Sequence, residues 1–295
     1  MLWKLPNIKI APDVIIPLFP DGSGITNTLL CTWIAIIALV ALFYFGTRRR
    51  DLIPRGVQNL VEWAVELLLN LVESVAGKAN AKRFFPLVAT FFIFILFANL
   101  LDIFPGVDTI GWVDLTAIQM AHLKPPTSIF LFGDYTNKIV PWLRPATTDL
   151  NLNLAMALIS VIVTQVFGFY LLGPKNYLKR YFNFSSPINF YVGILELVSE
   201  FARIISLSFR LFGNIFAGTI VLAIFALLLP VIGGAIFIPF ELFVAVIQAF
   251  IFSLLTLVFL QITVSSHEEH EPSSEHEARA EFAQNEEKEL AGSKS

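Results

Sequence analysis

The chain has 295 residues, 56% hydrophobic and only 15% charged, with a mean hydropathy of +0.72, against about 25% charged in an ordinary soluble domain. That balance excludes a soluble enzyme and a basic nucleic-acid binder, and points to a polytopic, all-α membrane protein. The net charge of −3 hides a division, since nine Glu against Arg279, Lys288 and Lys294 give residues 265–295 a balance of −6 and leave +3 on the rest.

Residues 1–27 read as an external, proline-rich segment (Pro6, Pro12, Pro17, Pro20), without the early apolar run of a cleaved targeting sequence. A single membrane domain follows over 28–264. A span needs about twenty apolar residues, and 28–46 is the first stretch to qualify. Arg48, Arg49 and Arg50 follow at once, which places that loop in the cytoplasm and the N-terminus outside. Over 54–77 the polar residues Asn59, Glu62, Glu66, Asn70 and Glu73 recur every three or four positions among apolar ones. This predicts an amphipathic interfacial helix, entered at Pro54 and released at Gly77.

The second span is 84–101, ending in Asn99-Leu-Leu-Asp102. Residues 103–148 carry Pro125, Pro126, Pro141 and Pro145 and read as an external loop. The third span, 150–172, has a polar stripe of Asn151, Asn153 and Gln165, and Lys175, Lys179 and Arg180 then return the chain to the cytoplasm. The short cytoplasmic segments carry ten Lys/Arg against three in the external loop, which supports this topology.

From 188 to 229 there are 42 residues without a proline, about 60 Å of helix against a hydrocarbon core of about 30 Å. Such a helix must tilt or bend. After a turn at 230–239 a second long helix covers 240–264, so the last two segments form an inclined hairpin. The acidic residues 265–295 then read as a solvated cytoplasmic tail. Its His267, His270 and His276 are interleaved with Glu, and the acidic terminus explains them better than a metal site. Cys31 alone excludes an internal disulfide.

The chemistry concentrates on the hairpin. Its first helix carries Glu196, Ser199, Glu200, Arg203, Ser206, Arg210, Asn214 and Thr219, and its second carries Glu241 and Gln248. Arg203 and Arg210 are seven residues apart and share nearly one face; Asn214 follows Arg210 at i+4, while Glu196, Glu200 and Arg203 form an i, i+4, i+7 row. That row is either a structural ladder or a lining for ion entry. An Arg at a bilayer centre costs at least about 2.5–3.5 kcal/mol, so it marks an ion path, a charge partner or a sensor. Arg210 is expected to be membrane-buried, and its nearest acids on the same helix are ten and fourteen residues away. Its counter-charge must therefore come from another helix or another protein. It cannot relay protons by titrating. Glu241 and Gln248, also seven apart, share a face toward the first helix, where a carboxyl suits a proton relay and an amide either packing or transport.

Taken together, the run Ser206-Leu-Ser-Phe-Arg210-Leu-Phe-Gly213-Asn214, followed by Glu241 and by Gln248-Ala-Phe-Ile-Phe, resembles subunit a of the rotary F-type ATP synthases. The resemblance extends to Asn99-Leu-Leu-Asp102 and to residues 145–156, with Asp149 in register. It implies that Arg210 is the essential arginine and that Glu196, Asn214, Glu241 and Gln248 lie along two aqueous half-channels. It further implies a non-catalytic stator that works against a ring of c subunits, beside b-type peripheral stalk subunits and the other ATP synthase subunits, in an energy-coupling membrane such as the bacterial plasma membrane. No cofactor is implied. Where that family often has an acid or histidine, this chain has Thr219, which cannot titrate. Ser199, Glu200, Arg203, Ser206, Thr219 and Asp149 are further candidates for half-channel polar residues. The competing reading, a self-contained ion or anion transporter, lacks the inverted repeat and matched broken helices common in such carriers. An intramembrane enzyme lacks a nucleophile–base pair within the spans.

Overall fold

The computed structural model describes residues 11–18, 24–48, 56–103, 107, 111–113, 139–173, 177, 181, 187–228 and 232–265. The tail beyond Ser265, most of residues 104–138 and the basic residues Arg49, Arg50, Arg55, Lys175, Lys179 and Arg180 lie outside them. Five helices dominate: α1 (Asn27–Arg48), α2 (Val57–Ile103), α3 (Leu150–Leu172), α4 (Pro187–Leu228) and α5 (Ile232–Ser265). All five are long and apolar enough to cross a membrane. Two short antiparallel pairs accompany them, β1 (Val14–Pro17) with β2 (Gly24–Thr26) and β3 (Gly111–Val113) with β4 (Ile139–Pro141). The second pair was not expected within residues 103–148. It brings the two ends of that segment together where no helix could span.

Two boundaries differ from the sequence reading. The amphipathic segment and the second span are one element, α2, interrupted only at Gly77 (φ 71°, ψ 160°). A residue without a Cβ takes that positive φ at no steric cost, so the chain bends there and resumes helix at once. Helix α5 starts at Ile232, not near Phe240, with Pro239 inside it. Only one backbone hydrogen bond is lost to that proline, and membrane helices tolerate such a loss where neighbours re-satisfy the carbonyl.

Lipid is as apolar as leucine, so these helices gain from close packing more than from leaving water. One cluster joins Phe91 and Ile95 of α2, Met156 and Ala157 of α3, Leu207 and Leu211 of α4, and Ala249 and Phe252 of α5. A second joins Val72, Ala76, Ala81, Phe84 and Val88 of α2 to Leu257 and Leu260 of α5. Small residues at these contacts let the backbones approach, and Ser160 of α3 meets Thr256 of α5 at 2.9 Å between hydroxyls. Outward faces remain apolar, as on α1 at Trp33, Ile37, Val40 and Phe45, which suits contact with lipid.

Between α3 and α4, two tyrosines pack back onto α3. Tyr177 and Tyr181 both donate to Gln165 Oε1. On α4, Gly193 is the one buried residue in the first thirteen, and a Cβ there would lie 2.1 Å from the Tyr181 carbonyl oxygen. Backbone is the obstacle, so no side-chain rotation relieves it. Gly193→Ala is expected to lower stability by about 1–3 kcal/mol, measured as a lower midpoint of thermal unfolding in detergent; an unchanged midpoint would show that the turn yields freely.

Candidate functional site

Helices α4 and α5 run antiparallel, and three contacts fix their register. Arg203 lies over the Phe259 ring, its guanidinium carbon 3.8 Å from the centroid. Asn214 Nδ2 donates to Gln248 Oε1 at 3.2 Å. A Cβ on Gly218 would stand 3.4 Å from Glu241 Oε1. The helical repeat then puts Arg210, Gly213, Asn214 and Ala217 of α4 opposite Val244, Ile247, Gln248 and Ile251 of α5, and these line an open groove together with Phe209.

Arg210 is exposed along this groove. Its neighbours Gly213 and Ala217 are too small to cover it; a Cβ at Gly213 would meet nothing within 4 Å. Among the described residues no carboxylate pairs with Arg210. The face that holds the charge is thus the face the chain leaves open.

Beside the groove lies a cavity of about 250 Å³, bounded by Asn99 and Asp102 of α2, Asn214 and Gly218 of α4, and Glu241 of α5, with apolar walls from Ile215, Phe237, Phe240 and Val244. The two hollows meet at Asn214, Ala217 and Val244. Asn99 is 1% exposed, and neither its amide nitrogen nor its oxygen has a hydrogen-bond partner among the described residues. At about 30 Å³ per molecule, several waters fit such a space and satisfy such groups. Asn99 and Asp102 were noted in the sequence without being assigned to the site. Their signal was an i, i+3 polar pair at the end of an apolar span.

The other candidates separate. Glu200 is buried and binds Arg203 through both carboxylate oxygens, at 3.1 and 3.2 Å from Nη1. Glu196 is partly buried on the same face, whereas Ser199 and Ser206 are exposed. Thr219 donates to the carbonyls of Ile215 and Phe216, at 2.9 and 3.1 Å, so its hydroxyl is engaged by its own helix. Asp149 borders neither hollow. It caps α3 by accepting from Asn151 N at 2.9 Å, and it accepts from Thr28 Oγ1 of α1 at 3.1 Å. None of these residues forms a metal cluster: no group of three or more His, Cys, Asp or Glu suited to a metal ion occurs among the described residues.

Residues 29–261 match the family model described as ATP synthase A chain. The chain is 32% identical over 243 residues to ATP synthase subunit a of Moorella thermoacetica, covering 82% of this chain and 93% of that protein. It is 31% identical over 244 residues to ATP synthase subunit a of Gloeobacter violaceus (83% and 86% covered). It is 35% identical over 254 residues to the same subunit of Mycobacterium ulcerans (83% and 89% covered).

The capping role of Asp149 is open to test. Asp149→Ala is expected to cost about 0.5–2 kcal/mol, while Asp149→Asn, an equally good N-cap, should lose far less. Thermal unfolding of the two variants in detergent compares them; equal losses would point to the carboxylate charge instead.

Proposed function

The chain belongs to the ATP synthase A chain family, a multi-pass subunit of the membrane sector of ATP synthase, and from that premise we propose that it is the stator wall through which protons pass to turn a ring of c subunits. Arg210 carries the reading. It is a permanent cation that no carboxylate among the described residues pairs, set on an open groove beside a cavity able to hold water. A carboxylate on a rotating partner supplies the missing counter-charge, because an opposite charge at close range favours the ionised acid. That acid therefore releases its proton as it reaches Arg210.

The released proton cannot pass a fixed positive charge, so exit and entry take separate routes. The cavity from Asn99 and Asp102 to Glu241 and Asn214 serves as the external half-channel, with Glu241 exchanging protons and Thr219 taking no part. Gln248, through its bond to Asn214, holds the junction of the two hollows. The cytoplasmic route approaches along Glu196 and the Glu200–Arg203 end of α4. Net flow then requires rotation, and a membrane potential contributes about 2.3 kcal/mol per charge per 100 mV to it.

In this arrangement the N-terminus is external and the acidic tail cytoplasmic, the membrane is an energy-coupling one such as the bacterial plasma membrane, and b-type peripheral stalk subunits hold the wall against the ring's torque. ATP is made on other subunits, so this chain is not itself a catalyst. A self-contained transporter would use Arg210 to bind a free anion, and uptake by the isolated chain in liposomes would favour that reading.

In inverted vesicles carrying the whole complex, Arg210→Ala is expected to abolish ATP-driven proton pumping while assembly and soluble ATP hydrolysis persist. Normal pumping would rule the reading out. Arg210→Lys should also fail, because an ammonium lacks the planar fork that fits a carboxylate. For Glu241→Gln the expected result is slower pumping, and an unchanged rate would move the external relay to other groups.

A further inference from the structure

Helix α4 carries a second guanidinium, and it is treated unlike the first. Arg203 stands seven residues from Arg210, two turns along and only about 20° round the helix. Arg210 is exposed, and among the described residues no carboxylate pairs with it. Arg203 is occupied on two sides. Its Nη1 lies 3.1 and 3.2 Å from the two carboxylate oxygens of Glu200, and its flat face rests on the Phe259 ring at 3.8 Å. The side chains of the pair are only 15% and 10% exposed.

We infer that Glu200 masks the charge of Arg203, so that Arg210 is the single cation this stripe offers to a passing carboxylate, with Phe259 holding the masked pair against α5. This rests on the reading of Arg210 given above. The chemistry requires some such device. A guanidinium cannot shed its proton, so an unmasked Arg203 would hold a rotor carboxylate in its charged form at a second position and stall the ring before reprotonation. Stacking on an aromatic face keeps the guanidinium plane fixed while its edge remains bonded to the acid. Glu200 is therefore a positioning and charge-masking residue, distinct from a proton carrier.

The test uses the whole complex in inverted vesicles, with assembly followed by immunoblot and pumping by a pH-sensitive dye. Glu200→Gln is expected to slow pumping about tenfold by exposing the Arg203 charge. Adding Arg203→Met, which keeps an apolar stem against Phe259, should restore more than half of the rate; adding Arg203→Lys, which keeps the charge, should not. If Glu200→Gln pumps normally, or if Glu200→Gln/Arg203→Met is as slow as the single variant, the masking role is overturned and Glu200 acts as a carrier or a purely structural group. Should Glu200→Gln fail to assemble, Glu200→Asp decides: the charge is kept, so pumping above half the normal rate is expected, and a tenfold loss would overturn the proposal. Absence of pumping in the unaltered complex, or its persistence in Arg210→Ala, would instead defeat the reading on which the inference rests.

Discussion

A permanent positive charge in an apolar wall, paired with no carboxylate among the described residues, is the constraint around which the site is arranged. Charge in lipid surroundings is costly unless paired, and Arg210 stands beside Gly213 on an open groove between α4 and α5 that the other described helices leave uncovered. On the reading proposed above, the energy withheld by leaving the guanidinium without an acid becomes available when a partner presents a carboxylate. The fold therefore does not maximise its own stability at this point. On the proposed reading it keeps an affinity for a partner's carboxylate, as is common where local consistency gives way at a functional position.

The scaffold behind that face is correspondingly firm. Helix α5 is held by α2 through Phe84, Val88, Leu257 and Leu260, and by α3 through the Ser160–Thr256 hydroxyl contact. Helix α4 is seated on the same core by Leu207 and Leu211, with Phe91 edge-on to Phe252 at 5.3 Å between centroids. Because side chains in such a core interlock, α4 and α5 cannot slide past each other by a fraction of a turn without opening gaps. The opposition of Asn214 to Gln248 and of Gly218 to Glu241 is a consequence of that packing as much as of the polar contacts themselves.

Much of this was readable in the amino-acid sequence. The length of the proline-free run 188–229 announced α4, and the i+4 and i+7 spacings placed Arg203, Arg210 and Asn214 on one stripe as found. Periodicity also marked Gly77 as a break but not as a bend within one element, because nothing in a hydrophobic pattern distinguishes a stop from a kink. The start of α5 was missed because Pro239 was read as a terminator, which in water it commonly is. Asn99 and Asp102 escaped assignment because a cavity between three helices has no signature in any one of them. Asp149 was grouped with the polar residues of the site by register, and the structure shows it tying the N-terminal ends of α1 and α3. Polarity in a membrane chain is thus evidence of importance before it is evidence of transport.

The clearance around Gly213 has a mechanical side. With no atom near the space a Cβ would fill, the Arg210 side chain has several staggered conformations within reach. A long flexible arm of this kind can remain engaged while its partner travels some distance along the wall. On the reading proposed above, hand-over of charge would then tolerate a spread of positions of the partner's carboxylate rather than demand one exact alignment.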